Sequence, residues 1–156
     1  MTLPTIILRH RKENLKKCSL RGLEGRTDLQ FLTYPYDPLP NLSSYFLLAV
    51  GAPELTQEDA QHGIFLIDAT WNLADLIRRQ CPPMPARSLP AGFVTAYPRK
   101  QTGCEDPQKG LASIEALYLS HLILGRSVSN LLDGYYWKDI FLERNKDALR
   151  VCETIK

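Results

Sequence analysis

Four large apolar residues in succession, Ile64-Phe65-Leu66-Ile67, stop at Asp68. The apolar spacing then changes to a helical period, with Trp71, Leu73, Ala74, Leu76 and Ile77 falling largely on one face. The run reads as a strand buried on both faces and the second pattern as a helix from Trp71 to about Gln80, closed by Cys81-Pro82-Pro83. The chain turns between them within Asp68-Ala69-Thr70, where Asp68 or Thr70 can cap the helix. Ligands of open α/β sheets lie outside the carboxyl ends of strands. An acid and a tryptophan in such a turn therefore suggest a ligand with a flat ring and a positive charge. The bland alternative is a capping Asp68 and a core Trp71.

The same reading places strands at Thr5–Leu8, Gln30–Tyr34, Tyr45–Val50 and Gly92–Tyr97. Thr56 with Asp59 three residues on marks a helix start that Gly63 ends. Helices are expected over Leu111–Leu124, with Gly125 past its end, then over Ser127–Asp133 and Trp137–Val151. Pro98–Gly110 reads as a long polar loop. Strands crowd the first two-thirds and helices the last third, so the expected class is α/β. We expect an α/β amino-terminal part over residues 1–90 and a mostly helical carboxyl-terminal part over 91–156, closely packed together.

Composition narrows the choice. The chain has 156 residues, of which 44% are hydrophobic, enough to supply a core. No apolar run approaches the length of a membrane span, and the Thr2–Leu8 stretch is too short for a signal peptide. Cys18, Cys81, Cys104 and Cys152 are widely spaced, which reads as free thiols in a reducing compartment rather than a zinc site, and no metal is expected. His10, His62 and His121 show no ligand spacing. Net charge is only +2, yet residues 9–26 hold seven basic against two acidic residues, a local net of +5. That asymmetry points to an anionic partner on one edge, with nucleic-acid phosphates the commonest kind. A solvated basic face is the alternative.

Three segments carry a resemblance to a known family. Asn14-Leu15-Lys16-Lys17-Cys18-Ser19-Leu20 resembles an Asp-Pro-Lys-Lys-Cys-Ser/Thr motif. Ile67-Asp68-Ala69-Thr70-Trp71-Asn72 resembles an Asp-Cys-Ser-Trp motif, and also the Asp-Gly-Thr-Trp form of DTW-domain relatives. Leu111-Ala112-Ser113-Ile114-Glu115-Ala116 resembles a Leu-Ser-Thr-x-Glu-Ala helix start. In this order they resemble the ribosome-maturation aminocarboxypropyltransferases of small-subunit rRNA, in the superfamily that also holds the DTW-domain tRNA enzymes. The chain departs from that pattern at Ala96-Tyr97-Pro98-Arg99-Lys100-Gln101-Thr102-Gly103, where the family has Asn-Pro-x-Asn-Tyr-Gly, and at Ala69.

The resemblance implies a SPOUT-like fold with a deep trefoil knot and S-adenosylmethionine as donor. It implies transfer of the donor's aminocarboxypropyl arm to a uridine or pseudouridine nitrogen of rRNA, with release of methylthioadenosine. Trp71 and Ala74 would then bury the donor methyl, the Ile67 carbonyl would hold the ribose, Ser19 and Ser113 would bind the carboxylate, and the stretch Leu89–Phe93 would pass the adenine. Asp68 would be a base for the imino proton or the anchor of the donor ammonium. Arg11, Lys16, Lys17 and Arg21 are the first candidates for RNA phosphates, with Arg99 and Lys100 second. A cytoplasmic monomer is expected. The competing expectations are a DTW-like tRNA enzyme, a SPOUT-type RNA methyltransferase, and a non-catalytic ribosome-assembly factor.

Overall fold

The computed structural model describes residues 3–12, 19–97 and 111–154. Five parallel strands form one sheet: β1 (Thr5–His10), β2 (Leu29–Tyr34), β3 (Tyr45–Leu48), β4 (Gly63–Asp68) and β5 (Ala86–Arg87), in the spatial order β2-β1-β4-β3-β5. The helices are α1 (Trp71–Gln80), α2 (Ser113–Ile123), α3 (Lys138–Arg144) and α4 (Lys146–Thr154), with a 3-10 helix at Gln57–Gln61. The α/β expectation is met, and the strand-to-helix turn after Asp68 falls where the change of period placed it.

Parallel strands covered on both faces become continuously apolar. β1 is buried at every position and β4 at all but Ile67. Side-chain alternation then sorts the core. Ile6, Leu8 and Phe65 pack with Ile77 of α1 on one face. Ile7 and Leu66 pack with Ile114 and Leu117 of α2 on the other. α2 is buried on nearly every side, between β4 and α4. At Gly63 a Cβ would run into the ring of Tyr45, so the bare backbone lets the first residues of β3 and β4 pair at Tyr45 and Gly63. Gly125, at φ +73°, ends α2 as the sequence implies.

Three expectations need correction. The stretch Gly92–Tyr97 is not a strand. Its backbone bonds go to side chains instead: Val94 N–H donates to Asn145 Oδ1 at 2.7 Å, Asn145 Nδ2 donates to the Val94 carbonyl at 2.8 Å, and Ala96 N–H donates to Glu115 at 2.9 Å. The fifth strand is the two-residue Ala86–Arg87, too short to show a period. Trp137–Val151 is not one helix. It divides at Asn145, whose amide serves Val94 and the Phe141 carbonyl. Ser127–Asp133 forms turns, with Asn130 at φ +63°, a conformation that favours turns over helix.

His121 ties the amino edge of this assembly together. It is 1% exposed, with Nε2 2.8 Å from Thr5 Oγ1 and Nδ1 3.1 Å from the Ser127 carbonyl. A proton on Nδ1 satisfies both, with the Thr5 hydroxyl donating to Nε2. Burial holds the ring below its ordinary value of about 6.5. Arg126 and Arg26 act in the same direction, against the Ser127 carbonyl and Asp28. His10 is also lowered, by burial and then by Arg11 and Lys12. As pH falls, the unfolded chain takes up these protons first. The stability they represent is therefore complete above about pH 6.5 and is lost below it, as pH falls toward the folded-state values. Urea unfolding should show stability decreasing between about pH 7.5 and about pH 5. His121→Asn should be less stable at the upper pH, by about 1–3 kcal/mol, with a shallower pH slope. An unchanged slope in the variant would exclude His121 as a source.

Candidate active site

The carboxyl ends of β1, β2 and β4 lie side by side, with Arg9 and Asp68 directly paired in register. Strand alternation puts both side chains on the α2 face, together with Ile7 and Leu66. Asp68 is 5% exposed. Its Oδ1 accepts from the Ser113 hydroxyl at 2.8 Å, and its Oδ2 faces Arg9 Nε at 3.5 Å. Arg9 is 7% exposed, with its guanidinium carbon 4.7 Å from the centroid of the Phe31 ring and Nη2 3.8 Å from the carboxylate of exposed Glu24. Thr70 occupies the N-cap position of α1 without a side-chain cap bond, while Asp68 reaches across to α2.

The amino terminus of α2 stands over this acid. Ser113 is its first residue, and Ile114 N–H donates to Ser19 Oγ at 3.2 Å. Ser19, Asp68 and Ser113, far apart in sequence, thus meet at a helix terminus whose free N–H groups and dipole favour negative charge. The Ser113 hydroxyl faces Asp68 rather than capping α2, and the N-cap position falls to Ala112.

Glu115 holds this arrangement in place. It is fully buried and accepts from four donors: Thr95 Oγ1 at 2.6 Å, Ala96 N–H at 2.9 Å, Ala112 N–H at 2.8 Å and the Tyr135 hydroxyl at 2.9 Å. One side chain therefore joins the start of α2, the Thr95–Ala96 stretch and the turn before α3. In the sequence Glu115 stands out only as part of the Leu111–Ala116 helix-start motif. Asn145 and Tyr135 were not singled out at all.

Other expected site residues occupy the same end of the sheet. Ile67 is the half-buried penultimate residue of β4. Trp71 opens α1, and Ala74 stands one turn further along. Leu89 follows β5, which is fixed at the sheet edge by Arg87 Nε on Asp59 at 3.1 Å and by Ser88 Oγ on the Ala52 carbonyl at 2.7 Å. Arg11 and Arg21 are exposed, and Arg11 directly follows β1. Lys16, Lys17, Arg99 and Lys100 lie outside the described residues, as do Cys18 and Cys104. Cys81 and Cys152 are not in a disulfide.

Among the described residues no group of three or more histidine, cysteine and acidic side chains is disposed to hold a metal, and no helix is long and apolar enough to cross a membrane. A cleft of about 550 Å³ opens at the opposite, amino edge of the sheet, lined by Thr5, Asp28, His121 and Arg126 among others. It lies at the other end of the strands from Asp68, and none of the expected site residues lines it.

Arg9 could have been found from sequence by extending β1 two residues. Alternation would then place it on the face of Ile7. Its position in a basic segment concealed it instead.

No protein-family model and no curated protein matches the chain. Among solved structures, the fold is similar to that of the SAM-dependent rRNA:acp-transferase Tsr3 from Vulcanisaeta distributa, with a TM-score of 0.73 and 22% sequence identity over 96% of this chain and 82% of that one. The two chains share a fold.

Glu115 makes a specific prediction. Each of its oxygens accepts one backbone N–H, from Ala112 and from Ala96 respectively, and neither donor can turn away. In Glu115→Gln either orientation of the amide sets an N–H against a backbone N–H. We expect a loss of about 1–3 kcal/mol in chemical unfolding, and about 1 kcal/mol for Tyr135→Phe, which leaves both backbone donors satisfied. Equal stability of Glu115→Gln and the parent would contradict the four-donor arrangement.

Proposed function

We propose that this chain transfers the aminocarboxypropyl arm of S-adenosylmethionine to a uridine or pseudouridine nitrogen of structured RNA, with small-subunit rRNA as the first expected target and methylthioadenosine as the leaving product. The observation that carries this reading is the meeting of Ser19, Asp68 and Ser113 beneath the amino terminus of α2, at the carboxyl ends of β1 and β4. A buried acid beside hydroxyls and a positive helix end provides complementary places for a ligand bearing both an ammonium and a carboxylate. The shared fold with Tsr3 supports it.

In this reading the sulfonium is already a good leaving group, and the protein's task is alignment and choice of carbon. Trp71 and Ala74 bury the methyl, which turns the amino-acid arm toward the base. A tryptophan face beside a sulfonium adds about 0.5–2 kcal/mol. The Ile67 carbonyl holds the ribose, and the stretch Leu89–Phe93 lines the adenine. Asp68 acts by positioning: both its oxygens face partners, Ser113 and Arg9, which supports an anchor for the donor ammonium over a proton acceptor. Arg11, Lys16, Lys17 and Arg21 meet RNA phosphates, with Arg99 and Lys100 beyond them. The reading includes the SPOUT-like trefoil knot, the division at residue 90, a monomeric state and a cytoplasmic site of action, all on the strength of the resemblance.

Calorimetric titration with S-adenosylmethionine and S-adenosylhomocysteine tests the buried methyl. We expect about tenfold or greater weakening when the methyl and its charge are absent, from lost apolar burial together with the lost cation–π contact. Trp71→Ala should weaken the methylated donor by a similar factor or more. Equal affinity for both ligands would favour a methyltransferase-like mode. Binding unaffected by Trp71→Ala would overturn the placement of the methyl pocket.

A further inference from the structure

The buried charge pair at the ends of β1 and β4 goes beyond the roles given above. We propose that Arg9 recognises the carboxylate of the donor's amino-acid head, so that Arg9 and Asp68 together receive the two opposite charges of that head. This rests on the aminocarboxypropyl reading and deepens it. The resemblance assigns the carboxylate to Ser19 and Ser113 and gives Arg9 no part.

Burial is the first observation. Arg9 and Asp68 are 7% and 5% exposed, at paired register positions on one face of the sheet. A buried ion pair is a poor source of stability, because desolvation offsets the attraction. Two apolar residues could have filled these places, as Ile7 and Leu66 do one step back on the same strands. The pair therefore calls for a reason other than packing.

Spacing is the second. Arg9 Nε stands 3.5 Å from Asp68 Oδ2 and Nη2 stands 3.8 Å from Glu24 Oε1. Charge-assisted hydrogen bonds close to about 2.7–2.9 Å. Both of these separations are longer than that, so neither carboxylate closes a tight bidentate pair with the guanidinium. Phe31, 4.7 Å away, supports it from the side. Glu24 is exposed, and its other oxygen accepts from the exposed Gly22 N–H at 3.2 Å, a bond that water can replace; a ligand carboxylate taking its place is one that an arginine fork can grip with two parallel bonds.

Surroundings are the third. The α2 amino terminus and the Ser19 and Ser113 hydroxyls adjoin the same point, so positive potential and donors converge there. Asp68 supplies the opposite sign 3.5 Å away from Arg9. An ammonium and a carboxylate on one carbon are separated by a comparable short distance. Neither a lone cation nor a lone anion would satisfy both members of the pair.

The test compares S-adenosylmethionine with decarboxylated S-adenosylmethionine, which keeps the ammonium and the sulfonium and lacks only the carboxylate. Titrations use the full chain. The parent should prefer the carboxylated donor by about 10–100-fold, the range for a hydrogen bond to a charged group. In Arg9→Met that preference should fall to within about threefold, through weaker binding of S-adenosylmethionine, while the decarboxylated donor binds much as before. Glu24→Gln, a change at an exposed side chain, should do the reverse. With the competing carboxylate gone, affinity for S-adenosylmethionine should rise about two- to fivefold and that for the decarboxylated donor should not. Preference retained in Arg9→Met, equal weakening of both ligands, or no selective gain in Glu24→Gln each overturns the proposal while leaving the donor assignment standing. Failure of the parent to bind either ligand overturns the donor assignment and this proposal with it.

Discussion

The carboxylate of Asp68 connects three parts of the chain. It ends β4, faces Arg9 from the end of β1, and accepts the Ser113 hydroxyl from the start of α2. An acid buried to this degree needs partners on every side that water would otherwise serve. That requirement fixes the relative positions of two strand ends and a helix terminus, and so creates a polar corner in an otherwise apolar fold. The carboxyl ends of parallel strands are where such a corner can be built, because the sheet's own hydrogen bonding stops there.

A second buried acid makes the corner durable. Glu115 lies two residues beyond Ser113 and gathers two backbone N–H groups and two hydroxyls. Asn145 does the same for Val94 from the junction of α3 and α4. The segment 94–97 crosses the molecule with its backbone satisfied by side chains, so it requires no neighbouring strand. The carboxyl-terminal helices thereby act on the site through the segment that Glu115 ties to the start of α2.

The sequence made part of this legible. The strand and helix either side of Asp68 could be read because Ile64–Ile67 is apolar without interruption and the change to helical spacing is abrupt. Thr56 and Asp59 could be read because a capping box is a local pattern, and the structure has both of its bonds. Gly92–Tyr97 was misjudged because its apolar residues suit a strand, while the groups that satisfy its backbone lie at residues 115 and 145. The break at Asn145 was hidden for the same reason: a single asparagine inside a helical pattern carries no local signal of a partner some fifty residues away. Asp68 stands out at the end of the apolar run, Ser19 and Ser113 through motif resemblance, and their meeting is a property of the fold. Arg9 was missed because a basic segment around it suggested solvent, whereas strand alternation turns it inward.

The central claim is that this corner holds S-adenosylmethionine so that its amino-acid arm, and not its methyl, meets the RNA. The most direct measurement follows two isotopic labels. The chain is incubated with unmodified small-subunit rRNA and donor labelled either in the carboxyl carbon or in the methyl carbon. The account predicts that the carboxyl label enters the RNA while the methyl label leaves with methylthioadenosine. Methyl label in the RNA, with the carboxyl label left in solution as S-adenosylhomocysteine, would contradict it.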